Sequence, residues 1–293
     1  MTARPHETAL VAPAKVNLFL HVGERRADGY HDICSLAAFA DFGDRLTGEV
    51  ADDLSLSISG PFASGLPTGA ENLVVRAGRA LQEWARGNGR QVAGAALQLE
   101  KRLPQASGIG GGSSDAAAAL KLLARLWDLP ATAADLARVG FTLGADVPVC
   151  LLGRAAVMEG VGEKLSLWPA FPPLPAVLVN PGAAVMTADV FRALDKRSGA
   201  TAPVPAEFKS PREVAVWLRL RANDLEGPAR TLVPVIGDVL AEISATTGCL
   251  LSRMSGSGAT CFGLYESPQA ACAAASVLAS RRKNWWVTPA TLR

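Results

Sequence analysis

"PQASGIGGGSSDAAAALKLL", from Pro104 to Leu123, sets four glycines and three serines directly before a row of alanines and leucines. Glycine loses more backbone freedom on folding than any other residue, so a cluster of it serves a special conformation or a close approach that side chains would block. The preceding stretch, "GAALQLEKRLP", reads as a strand ending near Lys101 to Leu103, and Ser114 to about Trp127 reads as a helix. A strand, a flexible turn Gly108-Ile109-Gly110-Gly111-Gly112 and a helix opening at Ser113-Ser114 gather unpaired backbone N–H groups at the positive end of a helix. Such a place binds anions, and the glycines and serine hydroxyls suit a di- or triphosphate. Taken alone, the stretch also reads as a plain helix entry through a tight turn.

Two common nucleotide signatures do not fit. No lysine follows the loop, which removes GxxxxGK[ST], and Ser113 stands where GxGxxG needs its last glycine. An Asp41-Phe42-Gly43 triplet lies near the N-terminus with no HRD-type loop before it, and it reads as coincidence.

Further out, Val16, Leu18, Leu20 and Val22 alternate with Asn17, Phe19 and His21, the period of a half-buried strand that sets Lys15 and Asn17 on one face. Leu54, Leu56 and Ile58 alternate with serines, "ENLVVRAGRALQEWARG" is helical, and Thr132 with Asp135 forms a capping box for a further helix. "LWPAFPPLPA", Leu167 to Ala176, carries four prolines and marks a boundary between expected domains 1–168 and 174–293. Beyond it, "AVLVN" reads as a strand, Ser210-Pro211-Arg212-Glu213 as a capping box, Ser267-Pro268 as a helix start, and "CLLSRMSGSGATCFGLY" as two strands joined by a second glycine-serine turn.

The 293 residues, 49% of them hydrophobic, can bury a substantial core. A net charge of +2, from 29 basic and 27 acidic residues, offers no concentrated field for nucleic acid. Five scattered cysteines with no CxxC pair favour neither a disulfide framework nor a zinc site, so a reducing cytoplasm is expected. The opening residues lack the apolar core of a signal peptide, and no apolar run is long enough for a membrane span.

Pro104 to Ser113 resembles the second motif of the GHMP kinase superfamily, P-x-x-x-G-[LIM]-G-[GS]-[GS]-S. "PAKVNLFLHVGERRADGYHDICSL", "LGADVPVCLLG", "RANDLE" and "MSGSGATCFGLY" match further stretches in the family's order, from about Leu10 to Tyr265. The loop departs from many relatives in reading Gln105-Ala106-Ser107 where they carry another glycine, which stiffens the cradle slightly. The resemblance implies an α+β, two-domain fold: an N-terminal domain like the second domain of ribosomal protein S5, a C-terminal ferredoxin-like α+β domain, and the active site between them. It also implies an ATP-dependent kinase of a small alcohol. "RRADGYH" and the triple glycine followed by "SSD" point to the branch whose alcohol carries a cytidine diphosphate, on the non-mevalonate isoprenoid route.

By the resemblance, Asp146 accepts the substrate hydroxyl proton and Lys15 is its cationic partner. Asn72, Lys101, Gly108, Gly110, Gly111, Gly112, Ser113 and Ser114 would hold ATP, with Mg2+ arriving on the nucleotide and no protein ligand assigned to it. Asn17 belongs with the substrate residues. Tyr30 would stack on cytosine, His31 would read its edge and Phe191 would close the other side. Asp115 should turn away from the loop, where it would repel phosphate, and Ser255 to Thr260 should shape the floor of the substrate site. A kinase of another small alcohol, or a non-catalytic nucleotide-binding relative, is the competing reading.

Overall fold

The computed structural model describes residues 9–168, 170–199, 201–202, 205 and 207–293. Two long strands open the chain, β1 (Leu10–Arg25) and β2 (His31–Ala51). They lead into β3 (Ser55–Ser59), α1 (Leu73–Gly87), β4 (Gly94–Glu100), α2 (Gly111–Leu126), α3 (Ala133–Leu143) and α4 (Val147–Leu152). The second half contains β5 (Ala156–Gly160), β6 (Lys164–Leu167), β7 (Leu174–Asn180), α5 (Thr187–Arg192), α6 (Pro211–Arg219), α7 (Glu226–Leu232) and α8 (Val235–Ser244). It ends with β8 (Leu251–Met254), β9 (Cys261–Leu264), α9 (Pro268–Arg281) and β10 (Trp286–Leu292).

Two compact units result, and neither is one run of chain. The first contains residues up to Ala14, Phe42–Leu103 and Gly110–Leu152; the second contains Lys15–Asp41, Pro104–Ile109 and Gly153–Arg293. The change of unit at Leu152 precedes the proline-rich stretch, which joins β6 to β7 within the second unit.

In the first unit β3 runs parallel to β4, and β4 runs antiparallel to the C-terminal half of β2, from Arg45↔Glu100 to Ala51↔Gly94. The helices pack through rows of small and aliphatic residues. Val74, Val75, Ala77, Leu81 and Ala85 of α1 recur at helical spacing and are buried, as are Ala116–Ala119 and Leu120 of α2. The α3 capping box forms as the sequence indicates, with Thr132 accepting from the Asp135 N–H and Asp135 from the Thr132 N–H.

The second unit carries the antiparallel ladder β8-β9-β7-β10, with β10 reaching β2 at Leu292↔Ala40 and β5 lying on β2 from Ile33↔Gly160 to Ala37↔Ala156. Val177, Val179, Ile236, Val239 and Met254 anchor its core. Ser267 caps α9 at the Ala270 N–H. At α6, Ser210 accepts from the Glu213 N–H, but the Glu213 carboxylate takes the Lys209 N–H, so only half of the expected box forms. β1 differs from the half-buried strand expected of it: both of its faces are buried from Ala14 to Gly23. Within the second unit the Arg253 guanidinium donates to the Leu18 carbonyl and the Trp217 ring meets Phe19 edge-on at 5.6 Å, which covers what alternation read as a solvent face.

Candidate active site

The chain enters the glycine stretch under tight control. In the first unit the fully buried Asp44 accepts the Arg102 N–H at 2.6 Å and the Leu103 N–H at 2.8 Å, holding the residues that leave β4. Past Pro104, whose carbonyl accepts the Ser107 hydroxyl at 2.6 Å, three residues take left-handed backbone: Ala106 at φ 45°, Gly108 at 74° and Gly110 at 63°. Two are glycines, which enter that region without penalty. The third is an alanine, an L residue held in left-handed backbone.

Helix α2 begins at Gly111, three residues ahead of the expected Ser114. Gly110 caps it without a side-chain hydrogen bond, and the first intrahelical bond runs from the Ser114 N–H to the Gly110 carbonyl. Gly111, Gly112 and Ser113 therefore contribute first-turn N–H groups that have no helical acceptor, at the positive end of a sixteen-residue helix. This local geometry fits phosphate oxygens. Ser114 does not join in through its side chain: it is buried, and its hydroxyl donates to the Pro13 carbonyl at 2.7 Å.

In the second unit the other glycine-serine turn backs the loop. The Ser255 hydroxyl donates to the Gly108 carbonyl at 2.9 Å, and the Thr260 N–H to the Ser107 carbonyl at 3.1 Å. A Cβ on Gly108 would run into the Ser255 carbonyl and come within 2.7 Å of the Gly258 nitrogen, so two stretches of bare backbone lie directly against each other. Asn223 holds the second turn in shape by donating to the Met254 and Gly256 carbonyls at 2.9 and 2.8 Å. The turn expected from the sequence to floor the substrate site is thus hydrogen-bonded to Ser107 and Gly108.

Lys15 and Asn17 belong to the same unit. The Lys15 N–H donates to the Ile109 carbonyl at 2.9 Å, and the Asn17 N–H to the Ser255 hydroxyl at 3.1 Å, so β1 is stitched to both turns. The Asn17 amide donates to Ser35 at 2.7 Å, and the side chains of both Lys15 and Asn17 are buried. In the first unit, Asp146 sits half-buried between Gly144 and α4, its carbonyl accepting the Cys150 N–H at 3.2 Å.

The aromatic residues also lie in the second unit. His31 and Phe191 stack with centroids 5.6 Å apart and planes 26° from parallel, and His31 Nδ1 lies 3.2 Å from the Gly23 carbonyl. Tyr30 projects beside them, 64% exposed. Phe191 packs on His31 itself, so the two rings form one surface instead of opposite walls.

The model of the GHMP kinases N terminal domain matches residues 72–154, and that of the GHMP kinases C terminal domain matches 206–284. A 4-diphosphocytidyl-2-C-methyl-D-erythritol kinase of Dinoroseobacter shibae is 53% identical over 96% of this chain and 94% of its own. The chain belongs to the GHMP kinases. A kinase of the same name from Paramagnetospirillum magneticum is 51% identical over 97% of this chain and 98% of its own. A crystal structure of 4-(cytidine 5'-diphospho)-2C-methyl-D-erythritol kinase superposes with a TM-score of 0.77 at 40% identity, covering 97% of this chain and 99% of that one.

Two residues expected at the nucleotide have their polar heads tied to protein groups in this GHMP kinase. Asn72 caps α1: its side chain accepts the Val74 N–H at 2.9 Å and donates to the Pro67 carbonyl at 2.8 Å. Lys101 is buried and its ammonium is held by Asp44 and by Asp115, the latter at 2.7 Å. Burial opposes the charged ammonium, but the two carboxylates outweigh it and hold the Lys101 pKa above the ordinary lysine value. Asp115 is likewise drawn to Lys101.

Asp44, Ser255 and Asn223 were not singled out from the sequence as support for the loop. A usable signal existed for the first: a lysine closing an apolar strand needs anionic company once buried. The strand register Arg45↔Glu100, carried one step further, sets Asp44 opposite Lys101.

Proposed function

We propose that this GHMP kinase transfers the γ-phosphoryl group of ATP to the 2-hydroxyl of 4-diphosphocytidyl-2-C-methyl-D-erythritol, giving the 2-phosphate and ADP on the methylerythritol phosphate route to isoprenoid precursors. The observation that carries this reading is the 53% identity along almost the whole chain to a kinase of that name. The first-turn N–H groups of α2 and the stacked His31 and Phe191 rings support this reading.

Phosphoryl transfer asks a protein mainly for alignment and charge neutralisation. The N–H groups of Gly111, Gly112 and Ser113 are assigned to phosphate oxygens, with Gly108 and Gly110 giving the backbone the turn that aims them. Asp146 is assigned to accept the substrate hydroxyl proton, and Lys15 to neutralise developing negative charge. Asn17, Tyr30, His31 and Phe191 are assigned to the cytidine substrate, the rings supplying stacking area and polar atoms supplying base identity. Mg2+ is assigned to the nucleotide's phosphates.

We place the family domains at 1–168 and 174–293 and the enzyme in the cytoplasm. Among the described residues no helix is long and apolar enough to cross a membrane. The test is ADP release from purified protein with magnesium-ATP and, separately, diphosphocytidyl-methylerythritol, mevalonate, homoserine or galactose. Turnover confined to the cytidine substrate supports the assignment; comparable turnover with mevalonate or homoserine refutes it.

A further inference from the structure

Asp44, Lys101 and Asp115 form a buried ionic group in the first unit, beneath the start of α2. Asp44 is fully buried, and Lys101 and Asp115 are each only 4% exposed. A Cβ built on Gly111 would lie 3.6 Å from Lys101 Nζ and 3.8 Å from Asp44 Oδ2, so the group underlies the turn whose N–H groups face the phosphates. With both carboxylates ionised it carries one net negative charge; with one protonated it is neutral.

The hydrogen bonding favours a proton. Asp44 is satisfied as an anion by two backbone N–H groups and the Lys101 ammonium. Asp115 has only the ammonium, and its Oδ1 is buried without a partner among the described residues. An ionised carboxylate with an unsatisfied buried oxygen is costly, whereas a carboxylic acid there can donate to a neighbouring carboxylate. Burial pushes the Asp115 carboxyl up to about 7, opposed by Lys101 and assisted by Asp44. The charged groups facing Asp115 are Lys101, which follows β4, and Asp44, on β2; Arg102 acts on Asp44 in turn.

We propose that the Asp44–Lys101–Asp115 group holds one exchangeable proton, and that a polyphosphate bound at the glycine loop draws this proton in from solvent, so that nucleotide affinity falls as pH rises above neutrality. The inference rests on the reading that the loop holds the nucleotide's phosphates. An anion above the group raises the cost of its net negative state and none of its neutral state. Proton uptake therefore accompanies binding, by linkage. Asp115 acts here through the charge it presents to the loop and touches no reacting atom, which makes it a positioning residue.

The test is titration calorimetry of the full chain with a magnesium-loaded, non-hydrolysable ATP analogue, at one pH near neutrality, in two buffers of different ionisation enthalpy. The expected result is net uptake of about half a proton. In Asp115→Asn, isosteric with the protonated acid, this uptake should vanish, and affinity should lose the decline of up to about tenfold that wild type displays across two pH units. Protons taken up by the analogue itself are common to both proteins and cancel in the comparison. Tight binding to wild type with no uptake, or equal uptake in folded Asp115→Asn, overturns the proposal and leaves the loop reading standing. No binding of the analogue to wild type overturns both. If Asp115→Asn does not fold, Asp115→Ser, which likewise cannot hold the proton, takes its place in the comparison.

Discussion

An alanine at Gly108 tests the junction of the two glycine turns. The residue sits at φ 74°, where an L side chain costs about 1–2 kcal/mol. Its Cβ would overlap the Ser255 carbonyl and lie 2.7 and 2.8 Å from the nitrogen and oxygen of Gly258, all backbone atoms that cannot swing aside as a side-chain tip can. Relief requires the turns to separate, which sacrifices the bonds from Ser255 to Gly108 and from Thr260 to Ser107, each worth about 0.5–1.5 kcal/mol. Gly108→Ala should therefore lose about 3 kcal/mol of unfolding free energy, measured by urea denaturation. Where it folds, displacement of the loop should weaken ATP about tenfold or more, the worth of one charge-assisted hydrogen bond. Gly112→Ala is the control. Its Cβ meets only Leu73 Cδ1, at 3.4 Å, inside a helix, so stability should hold or rise by up to about 1 kcal/mol. If Gly108→Ala matches wild type in both stability and ATP affinity, the two turns do not constrain each other.

Asp146→Asn should keep both substrates bound while turnover falls by roughly 10²–10⁴-fold, read by ADP release; near-normal turnover in a folded variant excludes it as the base. Phe191→Ala should raise KM for the cytidine substrate with little change in KM for ATP, and equal rises in steady-state kinetics would argue against a cytidine role. Ala106→Gly should add about 1 kcal/mol in urea denaturation, because it removes a left-handed L residue; a loss of stability would contradict that reading. Asp115 also sets a stability slope: its carboxyl stands at about 7 in the folded chain against 3.8, so the folded state holds the extra proton between those values. Its contribution is complete below about pH 4 and is lost as pH rises toward 7, so wild type should lose stability relative to Asp115→Asn by up to about 1.4 kcal/mol per pH unit there, and a flat difference refutes it.

What could be read along the chain was what local chemistry dictates. The Thr132 and Ser267 caps form where a hydroxyl precedes a helix, and the glycine loop stands where left-handed backbone is needed. The start of α2 was misplaced because helix propensity argues against glycine inside a helix, whereas Gly110 in left-handed geometry lets Gly111 and Gly112 begin one. β10 escaped notice because its sequence carries a proline, Pro289, in mid-strand. Its full ladder lies on the β7 side, and it meets β2 at its C-terminal end, around Leu292↔Ala40, beyond the residue without an N–H. The fates of Asn72 and Lys101 were illegible for another reason. A cap partner and a strand register decide where those polar heads go, and both depend on residues distant in sequence.

The meeting of Gly108 with Ser255 and Gly258 bears on how members of this family can be recombined. Partners 147 positions apart recognise each other almost entirely through main chain, with one serine hydroxyl as the exception. A hybrid that takes its loop from one parent and its C-terminal turn from another can keep this seam even when the surrounding sequences differ widely, provided both glycines and the serine survive the crossover. Shuffled libraries should accordingly tolerate exchange between the two stretches far better than a point change to either, because the fit between them resides in side chains that are absent.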